Sequence, residues 1–103
     1  MTETLPLTID FTCIAAPVQA EGVVAGRPFY FRSRGEMWEL TIAERSEDDP
    51  ATLGPEGAAS GLAWYRSGVV SGGSFAASDL PLDEARKIIQ ECAREYLAER
   101  AGK

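Results

Sequence analysis

The chain has 103 residues, a length that supports one domain with a single hydrophobic core. Hydrophobic residues make up 45% of it and charged residues 25%, as in ordinary folded proteins. Its 16 acidic and 10 basic residues give a formal net charge of −6, which argues against direct nucleic-acid binding because phosphate contacts need clustered Lys and Arg.

The sequence contains no histidine, the residue that most often serves as general base, zinc ligand or pH switch. The sequence pattern places no nucleophile beside a base and brings no two carboxylates together in a cleft. We therefore predict a protein that is not an enzyme, with no catalytic, cofactor-binding or metal-binding residues.

The N-terminal residues, MTETLPLTID, have neither the basic start nor the apolar run of a signal peptide, and no apolar stretch has membrane-spanning length. The sequence thus predicts a cytoplasmic protein without membrane contact. In that compartment Cys13 and Cys92 are expected to be reduced, each on the apolar side of its own element. A disulfide between them is the alternative.

The first half of the chain alternates apolar and polar residues with the period of a half-buried strand. This pattern predicts an antiparallel meander with strands over about residues 5–14, 18–25, 28–33 and 37–43, followed by one over about residues 62–70. A tight turn at Ala25-Gly26 would join the second strand to the third. It sets the small residue Ala20 opposite Phe31 on the core side.

The third and fourth strands are predicted to form a hairpin around the two-residue loop Arg34-Gly35. Glycine takes the positive φ that such turns need. This loop pairs Phe31 with Trp38 on the core side of the sheet.

Residues 45–61 contain two prolines and three glycines and show no apolar period, so they predict a flexible loop. The loop carries the acidic run Glu47, Asp48 and Asp49. Two interpretations are open: a mobile insertion, or a recognition loop that binds a partner.

An apolar stripe at steps of three and four predicts a C-terminal helix over about residues 81–100. The stripe consists of Ala85, Ile88, Ile89, Cys92 and Tyr96. The predicted fold is therefore α+β, an antiparallel meander of about four to five strands with one C-terminal helix packed on one face. If the helix covers the face of Phe31, the other face is free for solvent or for another protein.

That other face of the hairpin carries Tyr30, Arg32, Met37 and Glu39. Tyrosine, arginine and methionine are enriched in protein interfaces, so Tyr30, Arg32 and Glu39 are candidate partner-binding residues. A homodimer through this face is one such interaction. The alternative is a solvated face on which Arg32 pairs with Glu21 or Glu39.

The segment GRPFYFRSRGEMWELTIAE, followed by a loop and the helix PLDEARKII, resembles small bacterial proteins of phages, prophages and plasmids. The size, acidity and meander-plus-helix layout also resemble anti-CRISPR proteins, which block the nucleic-acid surfaces of CRISPR effector complexes. The resemblance implies a non-catalytic inhibitor that binds a basic nucleic-acid-binding complex, with Glu47, Asp48 and Asp49 imitating phosphates. A homodimeric structural or adaptor module is the alternative function.

Overall fold

The computed structural model describes residues 6–14, 18–34, 36–69 and 80–101. Its elements in chain order are the strands β1 (Leu7–Ile14), β2 (Val18–Val24), β3 (Arg27–Arg34) and β4 (Met37–Ala43), the helix α1 (Pro50–Ala59), the strand β5 (Ala63–Val69) and the helix α2 (Leu82–Ala101). The strands form one antiparallel sheet in the order β1-β2-β3-β4-β5. The predicted α+β fold, a meander with a C-terminal helix, is confirmed, and α1 is an addition to it.

The β2–β3 hairpin forms in the predicted register. Its turn residues Ala25 and Gly26 both have positive φ, 50° and 83° respectively. Two positive φ values are those of a type I′ turn, whose twist matches the twist of the flanking strands. Ala20 pairs with Phe31, so a small residue faces a large aromatic one as expected.

The β3–β4 hairpin has a different register from the predicted one. Phe31 pairs with Leu40 rather than with Trp38, two residues from the expected position. Trp38 instead lies opposite Ser33, a small residue that leaves room for the indole. A shift of two residues leaves every side chain on its predicted face, because the side-chain period of a strand is two.

The turn of this hairpin differs accordingly. Arg34 pairs with Met37, so Arg34 belongs to β3, and the predicted turn residues Arg34-Gly35 are wrong. The conformation predicted for Gly35 lies outside the described residues. As a paired strand residue, Arg34 follows Arg32 on the same face of β3.

The hydrophobic core lies between α2 and the sheet face that carries Phe29 and Phe31, which we call the inner face. The core cluster consists of Val18, Ala20, Val24, Phe29, Phe31, Leu40, Ile42, Trp64, Leu80, Ala85, Ile89, Cys92, Ala93 and Tyr96. The rings of Trp64 and Tyr96 meet edge to face with 5.6 Å between their centroids. Helix α2 therefore covers the aromatic face of the hairpin.

The prediction of a flexible loop over residues 45–61 is wrong, because α1 occupies most of that segment. Asp49 is its N-cap and accepts a hydrogen bond from the amide of Ala51 at 3.0 Å, and Pro50 takes the first helical position. Gly54, with φ 52° and ψ −154°, kinks the helix before Pro55. The interruption by Gly-Pro and the lack of an apolar stripe explain why no period indicated this helix.

The opposite side of the sheet, which we call the outer face, is partly covered by α1. Thr41 and Ala43 are buried although they alternate with the core residues of β4. In α1 the buried residues are Pro50 and Gly57, and this helix contacts β3, β4 and β5. The outer face is therefore closed at this end of β4 and open at the other end, and it is also exposed along β1 and β2, where Asp10 and Glu21 lie.

A bulge in β1 changes the predicted place of Cys13. The pairing with β2 shifts between Phe11 and Cys13, so that Cys13 lies opposite Gln19 in the outer-face row of Arg32. The expectation that Cys13 lies on the apolar side is therefore wrong. Cys13 and Cys92 are not joined by a disulfide, and burial raises the pKa of Cys92 to about 12.

Candidate protein-binding surface

The open end of the outer face brings together residues from three strands. Two cross-strand rows form it, one through Arg32, Glu39 and Ser67 and one through Arg34, Met37 and Val69. We call the residues of these two rows the open patch. The rows lie at the opposite end of β4 and β5 from the buried pair Ala43 and Ala63.

The apolar part of the open patch is a pair of exposed side chains. Met37 and Val69 are direct cross-strand partners and are 51% and 72% exposed. Single exposed apolar residues are common, but two large ones side by side on a sheet form a small apolar surface. This surface has the chemical character of the centre of a protein contact.

Arg32 lies beside this apolar pair and lacks the predicted ion pair. In the part of the chain that the structure describes, Arg32 makes no salt bridge with Glu21 or Glu39. Its Nε atom is buried and has no hydrogen-bond partner there. Glu39 instead accepts a hydrogen bond from the hydroxyl of Tyr65 at 2.8 Å. The predicted pairing of Arg32 on a solvated face is therefore wrong.

Arg34 adds a second cation to the open patch. Its side chain is exposed, and no ion pair to it occurs among the described residues. A shallow concavity of about 200 Å³ is lined by Arg32, Arg34, Met37, Trp38 and Glu39. The chain thus places two arginines without carboxylate partners in one local hollow.

Two tyrosines border the open patch on the side of α1. Burial raises the pKa of Tyr30 above its usual value, Arg32 opposes this effect, and the nearby carboxylates add to it. Burial and the hydrogen bond to Glu39 likewise raise the pKa of Tyr65. Both phenols therefore stay protonated near neutral pH. Tyr30, Arg32 and Glu39, predicted as one group, do share this face.

The acidic run lies elsewhere, before and at the start of α1, and its carboxylates make local contacts. Arg45 Nε lies 3.1 Å from Glu47 Oε1 and 3.5 Å from Asp48 Oδ2. Asp49 caps α1. These three acids therefore have partners within the segment, while Glu47 and Asp49 remain exposed and accessible to another molecule.

A second polar cluster, centred on Glu44, joins the sheet to α2 on the inner face. Its Oε1 accepts hydrogen bonds from the hydroxyl of Tyr96 at 2.9 Å and from Nη1 of Arg100 at 2.7 Å, and Arg27 Nε lies 3.7 Å away. The sequence reasoning missed this cluster. The alternation of Leu40 and Ile42 continues to residue 44, which was a usable signal for an inward-facing carboxylate.

No group of Cys, Asp and Glu side chains among the described residues is arranged to hold a metal ion. Neither described helix combines the length and apolar character needed to cross a membrane. Comparisons with family models, with curated proteins and with solved structures find no match to this chain.

Proposed function

We propose that this chain is a non-catalytic protein-binding protein and that the open patch is its contact surface. The observation that carries the proposal is the exposed apolar pair Met37 and Val69 beside Arg32, whose buried Nε–H has no acceptor among the described residues. Methionine and arginine are enriched at interfaces, and a buried donor without an acceptor is costly. A partner that covers the patch removes the apolar pair from water and can pair with the guanidinium through its Nη groups, since the buried Nε–H is out of reach.

A protein fits this surface better than a small molecule or a nucleic acid. The concavity of about 200 Å³ is smaller than the roughly 300–1,000 Å³ of ordinary small-molecule sites. A long polyanion would be repelled by the net charge of −6, because the cations of the patch are few. A protein can cover the apolar pair and supply individual polar groups to the arginines.

A second copy of the chain is the second candidate partner. The open patch contains charges of both signs, since Arg34 lies opposite Met37 and Glu39 lies in the neighbouring row on the same face of β4. A two-fold axis through the patch would set the cations of one copy against the anions of the other. A homodimeric module is therefore the alternative form of this function.

The narrower form of the proposal is an inhibitor of a nucleic-acid-handling complex from a mobile element. In the phosphate-mimicry mechanism, Glu47, Asp48 and Asp49 compete for a basic groove. Their contacts with Arg45 and with the start of α1 favour the open patch instead as the contact surface of such an inhibitor. The two mechanisms predict loss of binding from different substitutions.

The experiment is quantitative capture of partners by the tagged chain from its native host, or from cells that carry CRISPR effectors. We expect the double variant Met37→Ser and Val69→Ser to lose at least about tenfold in partner recovery, because it removes the exposed apolar pair. Since both side chains are exposed, the variant should fold normally. Light scattering on the purified chain measures self-association in parallel.

Two control variants make the result specific. Leu82→Ser removes another partly exposed apolar side chain, at the start of α2, and should leave recovery unchanged. The triple variant Glu47→Gln, Asp48→Asn and Asp49→Asn removes the acidic charge while keeping an Asn cap on α1. Full recovery by the open-patch variant, with loss in the triple variant, would support phosphate mimicry and reject the open patch.

A further inference from the structure

We propose that the concavity beside Arg32 and Arg34 is a carboxylate-binding site that takes an acidic side chain of a protein partner. This inference rests on the proposed protein-binding function and names the chemistry of the group that the partner supplies. It assigns a role to Arg32 and Arg34, the two cations of the open patch. The apolar contact of Met37 and Val69 does not account for them.

The first observation is the hydrogen-bonding state of Arg32. A guanidinium has five N–H donors, and those buried in folded proteins are almost always satisfied. Arg32 Nε is buried without an acceptor among the described residues. A carboxylate that enters the concavity cannot reach this buried atom, but it can accept through both of its oxygens from the two Nη groups, which are not buried as Nε is.

The second observation is the contrast with the other arginines of the described chain. Several of them pair with carboxylates of this chain, namely Arg27, Arg45, Arg66 and Arg100. Arg32, Arg34, Arg86 and Arg94 make no such pair among the described residues, and of these four Arg32 and Arg34 lie on the same face of β3 and line one concavity. The carboxylate nearest in the sheet, Glu39, is hydrogen-bonded to Tyr65.

The surroundings select a single carboxylate next to apolar groups rather than a chain of phosphates. Met37 and Val69 offer apolar contact beside the cations. Two arginines and Glu39 leave the concavity with one net positive charge, which suits one carboxylate better than an extended polyanion. An acidic residue flanked by apolar residues matches this arrangement. The site therefore fits a short acidic-apolar segment on the surface of a protein.

The test is an NMR titration of the ¹⁵N-labelled chain with the capped tripeptide Leu-Glu-Leu. We expect the Nε–H signal of Arg32 and the amide signals of Arg34 and Met37 to shift saturably. The tripeptide Leu-Gln-Leu should cause much smaller shifts, because it lacks the carboxylate. Arg94, an exposed arginine on α2, is the control for non-specific attraction, and its Nε–H signal should not shift.

Substitution gives the quantitative readout. Arg32→Gln should weaken Leu-Glu-Leu at least about tenfold, since it removes a charge-assisted pair of hydrogen bonds. Arg94→Gln is the matched control and should bind as the original chain does. The amide spectrum of each variant verifies that its fold is intact.

Each of three results would overturn the proposed site: no shift of the Arg32 signal, equal shifts with Leu-Gln-Leu, or an equal loss of affinity for Leu-Glu-Leu in Arg94→Gln. Shifts of Arg32 with a short oligothymidylate, in the absence of shifts with Leu-Glu-Leu, would assign the cations to phosphate and also reject it. A different result would contradict the proposed function. Retained capture by the Met37 and Val69 double variant contradicts the binding surface without altering the Arg32 titration.

Discussion

At the scale of single residues, Glu44 joins α2 to the sheet through its carboxylate. Its carboxylate accepts from the buried Tyr96 hydroxyl and from Arg100, and Arg27 lies close by. We expect Glu44→Ala to lower the free energy of unfolding by about 1–3 kcal/mol, because it leaves a buried donor without its acceptor. Urea denaturation of the purified variant measures the change.

The control for that variant is Glu47→Ala. Glu47 contacts Arg45 at the surface, and its side chain is 64% exposed. Exposed ion pairs contribute little, so the change should stay within about 0.5 kcal/mol. Equal losses in the two variants would contradict the role assigned to Glu44.

At the scale of elements, α1 determines how much of the outer face stays open, and its path depends on Gly54. The backbone there has φ 52° and ψ −154°, a combination that residues with a Cβ rarely adopt. We expect Gly54→Ala to lower the free energy of unfolding by about 1–3 kcal/mol. Thermal or urea denaturation, followed by circular dichroism, measures the loss.

Ser60→Ala is the matched control in the same segment. Ser60 is exposed and ends α1 through its backbone N–H, which bonds to the carbonyl of Glu56 at 3.1 Å. Removal of its hydroxyl should cost less than about 0.5 kcal/mol. If Gly54→Ala were equally mild, the kink would not be needed to place α1.

The elements also explain which parts of the fold the sequence could predict. The strands were predictable because each alternates on its own, and the β2–β3 register followed from one turn and from small residues opposite large ones. The β3–β4 register was not predictable, because a shift of two residues leaves every side chain on the same face of the sheet. The apolar pattern therefore fits both registers equally well. Helix α1 has no apolar stripe and a Gly-Pro break, so only its Asp49-Pro50 start was visible.

The candidate surface, like the fold, was predictable only in part. The alternation of β3 and β4 placed Tyr30, Arg32 and Glu39 on one face, as the structure also places them. It could not indicate that α1 closes one end of that face. Nor could it indicate that Glu39 accepts a hydrogen bond from Tyr65 rather than pairing with Arg32. Tyr65 lies on β5, which is distant in sequence, and the pairing of β5 with β4 is set by the assembled sheet.

At the scale of the whole molecule, the two helices divide the sheet into covered and open regions. Helix α2 covers the inner face, and α1 covers one end of the outer face. The open patch is one part of the uncovered surface, and it combines an exposed apolar pair with two arginines that lack carboxylate partners in the described chain. We propose that this open patch, rather than the acidic run before α1, contacts a partner.

The most direct test of that claim is methyl NMR of Met37 in a chain labelled at its methionine methyl groups, with the signal assigned through Met37→Leu. We predict that the Met37 methyl signal shifts or broadens when the captured partner is added, or with rising concentration if the partner is a second copy. Met37 reports contact at the centre of the patch whatever the partner is. A complex demonstrated by light scattering that leaves the Met37 signal unchanged would contradict the account.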